Sequence, residues 1–301
     1  MVIAMTDTFD PTPLRREVLA VILLDRGPLA DFDIGPDGIA HPGAGFEGVQ
    51  ITWSELASAA ANTGLPSHTV RRRLARWLRL RIVLDTWLSG PDRPARQNRV
   101  ISVIRPRALP RDHALHPGSG WALHSVLGGA VDVGLAMRGV DDDGHLDPDS
   151  VGLLPFGVLT AAGIDLDIAT GRAHRYLDDM AQLAADRLRR DPSAVLRSLG
   201  DADVITLLAN AHFRHVLLDG QGMRTAAVPS RDRGWLDLGR VDPAFAISAA
   251  QLTDPDTRGF DRPILITADE IAMVRAGGRP IGQSLADPAP DEPSRPASRQ
   301  A

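Results

Sequence analysis

The chain has 301 residues, is 44% hydrophobic and 24% charged, and carries a formal net charge of −5, a size that supports two packed units. It contains no cysteine, and none of its 33 basic residues is lysine. Disulfides, thiolate-held zinc, iron–sulfur clusters, thiol nucleophiles, Schiff bases and a phosphate-loop lysine are therefore excluded, and the arginine bias reads as a high-GC bacterial genome.

The first element is a helix over 14–24. Its apolar stretch Val18 to Leu24 is short and framed by Arg15, Arg16, Asp25 and Arg26, so it reads as a buried helix and not as a signal peptide. The longest apolar run, Gly118 to Met137, holds five glycines and is interrupted by His124 and Asp132, which makes a poor spanning helix. A soluble, cytoplasmic chain without a membrane partner is expected. After a Gly/Pro-rich insertion, Gly27 to Gly48, a short helix over 56–62 ends at Thr63-Gly64, and a second begins with Ser67 available as its N-cap. At 100° per residue, Val70, Leu74, Trp77 and Leu78 share one side of this second helix. His68, Arg72, Arg76 and Arg79 gather opposite. The β-branched run Arg81 to Leu88 predicts a strand, Gly90 to Asn98 a loop, and Arg99 to Ile104 a returning strand, together a hairpin with a basic tip.

Helix, glycine turn, arginine-faced helix and hairpin, in this order, resemble the winged-helix DNA-binding domains of bacterial regulators of the MarR and GntR type over residues 13–107. In that resemblance Ala60 is the small residue at the helix crossing, Gly64 the turn, Leu65 its buried anchor, and Val70 and Leu74 the core face. Arg73 departs from it, standing where these families place a small or apolar residue, and so does the insertion 27–48. The resemblance implies a transcriptional regulator whose partner is duplex DNA. His68, Arg72 and Arg76 would face base edges, Arg79 would complete the arginine stripe, Ser67, Thr69 and Arg71 would meet phosphates, and Arg93, Arg96 and Arg99 of the wing would lie on the neighbouring backbone. Homodimerisation and the effector stay open.

Charge supports this reading. Between Pro66 and Arg111 there are twelve arginines against Asp85 and Asp92, a net of +10, so the remainder of the −5 chain carries −15. Two rivals stand beside it. One is a winged-helix interaction scaffold whose arginines are masked by the acidic C-terminal domain. The other is a metal-assisted hydrolase built on His174 and Asp178, with Asp165 and Asp167 upstream.

The chain divides near residue 112, into domains 11–111 and 113–283, with Pro106, Pro110, Pro117 and Gly118 marking a linker over 105–119. Beyond it the sequence predicts a strand over 131–140, an acidic turn Asp141-Asp142-Asp143-Gly144, and a helix over 173–190 with Tyr176, Met180, Leu183, Ala184, Arg187 and Leu188 on one face. Helices over 192–199 and 204–218 and strands over 225–228 and 264–267 follow. The overall class is α+β, the second unit being α+β or α/β, and 284–301 has the composition of a disordered tail. The acids Asp141, Asp143, Asp147 and Asp149 lack calcium-loop spacing, and His212 and His215 are two ligands without a third. Asp201-Ala202-Asp203 and Arg231 to Trp235 read as surface turns. No catalytic residue, metal or cofactor is assigned.

Overall fold

The computed structural model describes residues 12–43, 48–60, 66–113, 116–117, 121–191, 195–237, 257–274 and 280–281. In chain order these form α1 (Thr12–Leu24), a short 3-10 turn (Pro28–Asp31), β1 (Asp33–Ile34), β2 (Gly38–His41), β3 (Val49–Thr52), α2 (Trp53–Ala60), α3 (Ser67–Leu88) and α4 (Arg93–Ser102). Then come β4 (Ile104–Pro110), β5 (Ala122–Val126), β6 (Val131–Val140), β7 (Leu146–Leu154), α5 (Phe156–Ala161), α6 (Leu166–Arg190) and β8 (Val195–Arg197). The chain closes with α7 (Val204–Leu208), α8 (Ala211–Leu218), β9 (Arg224–Ser230), β10 (Arg233–Leu236), β11 (Ile264–Ile266), β12 (Ile271–Val274) and β13 (Pro280–Ile281). Helices and antiparallel sheets alternate without parallel crossovers among the described strands, and the class is α+β. No helix of the described residues is long and apolar enough to cross a membrane.

Three sheets organise the chain. The insertion 27–48 folds with β3 into the small meander β1-β2-β3. The central sheet is built around β6. Strand β4 pairs with it from Ile104↔Met137 to Pro110↔Val131, while its other edge is shared by β5 at Val131–Gly134 and β7 beyond Leu135. A six-stranded sheet runs β13-β12-β11-β9-β10-β8.

Two hydrophobic cores share the central sheet and α6. Leu14, Val18, Leu74, Trp77, Leu84, Ile104, Met137, Leu154 and Ala169 belong to the first. Ala108, Val131, Val133, Ala181, Leu207, Phe213, Val228 and Ile264 belong to the second. Strand β4 thus enters both, and the 105–119 linker is corrected in its first part: 105–110 belong to a strand with a full ladder. A boundary at 112 would cut between β4 and β5, both of which hydrogen-bond to β6. The buried stripe of α6 is small, Ala169, Ala173, Ala181, Ala184 and Ala185 with Leu177, so the helix lies close to its neighbours. Leu183, expected inside, is 53% exposed.

The hairpin over 81–104 is likewise corrected. Residues 81–88 continue α3, because Leu74, Trp77, Leu80, Leu84 and Leu88 keep a three- and four-residue spacing straight through the β-branched run and are buried against the first core. The helix stops at Ser89, before Gly90-Pro91. What read as a basic loop is α4, started by the Asp92 carboxylate accepting from the Ala95 amide at 3.2 Å, with Pro94 in its first turn. The meander strands β1–β3 therefore precede α2, and no hairpin follows α3 over 81–104. In the C-terminal half, β6 spans the expected 131–140. Helix α6 begins earlier than 173, because Asp165 caps it by accepting from the Asp167 and Ile168 amides. Residues 195–197 are strand and not helix, and 204–218 breaks into α7 and α8 where Asn210 caps the second. Gly64, Leu65 and the tail 284–301 lie outside the described residues.

Candidate nucleic-acid interface

Helix α3 carries the arginine stripe, and its N-cap is Pro66; Ser67 is the first helical residue and makes no side-chain cap. Each arginine of the stripe meets a carboxylate. Arg71 Nε donates to Glu17 of α1 at 2.6 Å and Arg72 Nε to Asp143 at 3.2 Å. Arg76 reaches Asp142 at 3.3 Å and the Leu153 carbonyl at 2.8 Å; Arg79 reaches Asp25 at 3.1 Å and the Asp143 carbonyl at 3.1 Å. The Arg76 side chain keeps only 10% of its exposure and Arg79 only 17%. Burial pulls the Arg76 guanidinium below its ordinary range against the opposing charges of Asp142 and Asp143.

The acidic turn between β6 and β7 is shaped to fit this face. Asp141 Oδ1 accepts from the Asp143 and His145 amides, and Asp142 Oδ1 from the Leu153 amide. Gly144 turns at φ +85 and lies so close to α3 that a Cβ there would come 3.0 Å from the Arg76 carbonyl oxygen. The base-edge role of Arg76 and the outward place of Arg79 in the stripe are therefore corrected. Helical projection separated the two faces of α3 correctly, but a turn more than sixty residues away covers the second face. A groove contact by Arg76 would first have to break a buried ion pair.

Other expected contacts keep their access. Ser67 and His68 are exposed, Thr69 is half-buried, and Arg72 stays 59% exposed despite its pairing. Arg73 is half-buried, and burial lowers its pKa, in line with a stem lying over the core edge. On α4, Arg93 and Arg99 are exposed and Arg96 is half-buried. Their spacing of three residues puts them along one side of the helix. Arg93 and Arg96 donate to carbonyls, of Ala162 and Pro91, and among the described residues no carboxylate pairs with any of the three. A three-arginine face without counter-charge is what a phosphate chain requires.

Two buried polar clusters were missed by sequence reasoning. Asp132 accepts from the Ser125 hydroxyl, from Arg111 at 3.4 Å and contacts His116 Nε2 at 3.0 Å. Burial alone would raise its carboxyl, but the hydrogen bonds from Ser125 and Arg111 and the charges of Arg111 and His116 hold it below the usual range. The carboxylate thus bridges the serine hydroxyl and the imidazole. The lone acid in the apolar run 131–137 was its signal. Asp203, read as a surface residue, is 4% exposed; it caps α7 by accepting from the Thr206 amide at 2.7 Å and pairs with Arg231 at 2.9 Å and Arg107 at 3.5 Å. The spacing Asp203-x-x-Thr206 ahead of an apolar run was the available sign.

The hydrolase constellation does not assemble. Asp165 is consumed in capping α6, and Asp178 accepts from the Asn210 amide group at 2.8 Å. Among the described residues no group of three or more His, Asp or Glu gathers to hold a metal. Compared with family models, curated proteins and solved structures, the chain has no match.

Proposed function

We propose that this chain is a DNA-binding regulator of the cytoplasm that grips duplex DNA mainly by its phosphates, through the arginine face of α4 and the exposed start of α3. The observation that carries this reading is the contrast between two sets of arginines. Arg71, Arg72, Arg76 and Arg79 of α3 are matched one to one by Glu17, Asp143, Asp142 and Asp25, whereas Arg93, Arg96 and Arg99 of α4 have no carboxylate partner among the described residues. Base discrimination, on this reading, falls to His68 and Arg72 and is modest. Binding by phosphate neutralisation is steeply salt-dependent. Fluorescence anisotropy of a labelled duplex, titrated across salt concentrations, is the test. Arg93→Ala with Arg96→Ala and Arg99→Ala is expected to flatten the dependence of log affinity on log salt by up to about 3 units, near 0.9 per phosphate released. Arg189→Ala with Arg190→Ala, at the far end of α6, serves as the control and leaves the slope unchanged.

The neutralised face of α3 favours a second reading, an interaction scaffold that binds no nucleic acid. Absence of salt-dependent binding by the intact chain selects that reading and removes the first.

A further inference from the structure

His174, considered above only with the acids around it, has its nearest chemical partner elsewhere. His124 of β5 and His174 of α6, fifty residues apart in the sequence, meet edge to face with ring centroids 5.7 Å apart and planes inclined by 70°. Both are exposed. Among the described residues neither imidazole is held by a carboxylate, in contrast to His116 with Asp132 and His145 with Asp141.

We propose that His124 and His174 form a two-imidazole site for a borderline divalent ion of the zinc, copper or nickel kind, with water completing its coordination. The ring spacing is close to what such an ion needs. Two imidazoles on one tetrahedral ion, each nitrogen about 2.0–2.1 Å from the metal, place their ring centroids about 5 Å apart. Bringing one nitrogen of each ring onto a shared ion takes a rotation about χ2 out of the observed edge-to-face contact, a soft torsion for histidine. The donor chemistry fits as well, since neutral imidazole suits these ions, whereas calcium and magnesium demand oxygen.

The scaffold is rigid on both sides. His124 lies opposite Val133 in the β5–β6 ladder. His174 follows the buried Ala173 and precedes the buried Leu177 on a 25-residue helix. A bound ion would tie the edge of the central sheet to the helix that crosses both cores, and would stabilise the fold by mass action. Asp178, one turn on, is occupied by Asn210 and stands apart from the site. This site is independent of the DNA-binding reading.

The test uses the full chain without an affinity tag. Calorimetric titration with Zn2+ is expected to show one saturable equivalent. The Cu2+ complex is expected to show spin-resonance splitting from two imidazole nitrogens. His124→Asn and His174→Asn should each weaken Zn2+ binding by about tenfold or more and leave one coupled nitrogen. His212→Asn with His215→Asn, on the exposed pair of α8, should bind like the parent. Unchanged melting of the metal-free variants separates ligand loss from misfolding, and Gln replaces Asn in any variant that melts lower. Absence of a saturable equivalent, single variants that bind like the parent, or loss of binding in the His212/His215 control would overturn the proposal.

Discussion

Replacing Arg76 by alanine separates a base-reading arginine from a structural one. An arginine held out for a DNA groove is expendable to the fold, and its removal changes stability by within about ±0.5 kcal/mol. In this chain Arg76→Ala would strip the Leu153 carbonyl of its donor and leave Asp142, whose side chain is only 19% exposed, without its cation. Breaking a buried ion pair from one side costs about 3–5 kcal/mol. Because Asp142 keeps the Leu153 amide bond and some contact with water, the lower end, about 3 kcal/mol, is expected. At about 2–4 °C per kcal/mol for a chain above 150 residues, the melting temperature should fall by roughly 6–12 °C. Arg72→Ala, whose pair with Asp143 is 59% and 50% exposed, should cost less than about 1 kcal/mol. Circular-dichroism melts of both variants, with Asp142→Ala and the double variant Arg76→Ala/Asp142→Ala, complete the cycle. A coupling well above the ~0.5 kcal/mol scatter of independent sites is expected. Equal melting of the Arg76 and Arg72 variants, or additive losses for Arg76 and Asp142, would refute the internal ion-pair seam.

Gly134→Ala should destabilise the chain by about 1–3 kcal/mol, because a Cβ there would come 2.4 Å from the Trp121 ring, which is 1% exposed and donates to the Leu135 carbonyl. Denaturant unfolding measures the loss, and Trp121→Leu in the same chain should recover part of it; a neutral Gly134→Ala would contradict the packing. Asp132→Asn probes the cluster on β6. The carboxyl is held below its unfolded value, so its contribution is present above about pH 4 and disappears as pH falls through the folded value. The stability gap between parent and variant should therefore be wide at pH 7 and narrow near pH 3, and an equal gap at both would show that Asp132 is not the titrating group.

Local sequence sufficed where a segment's own pattern decides its structure. The mainly apolar run 131–140 became β6 to the residue, Asp141 to Gly144 became a turn, and the three- and four-residue spacing of α3 placed its core face correctly. It also announced the charge asymmetry that made the arginines conspicuous. Helix α4 was legible too, in Asp92 ahead of Pro94, but glycine and proline nearby spoke louder for a loop. The β-branched stretch 81–88 was not, because strand propensity is worth less than burying Leu84 and Leu88 on a helix already under way. The state of the arginines belonged wholly to tertiary structure. A helical projection shows which residues lie opposite the core but not what is folded onto them, and the turn that covers Arg76 and Arg79 comes from a strand pair formed far along the chain. The same holds for His124 and His174, joined only when β5 settles against β6 and α6 packs beside it. Side-chain charge is written residue by residue, whereas its freedom to meet a partner depends on the carboxylates, or the second imidazole, that folding brings within a few ångströms.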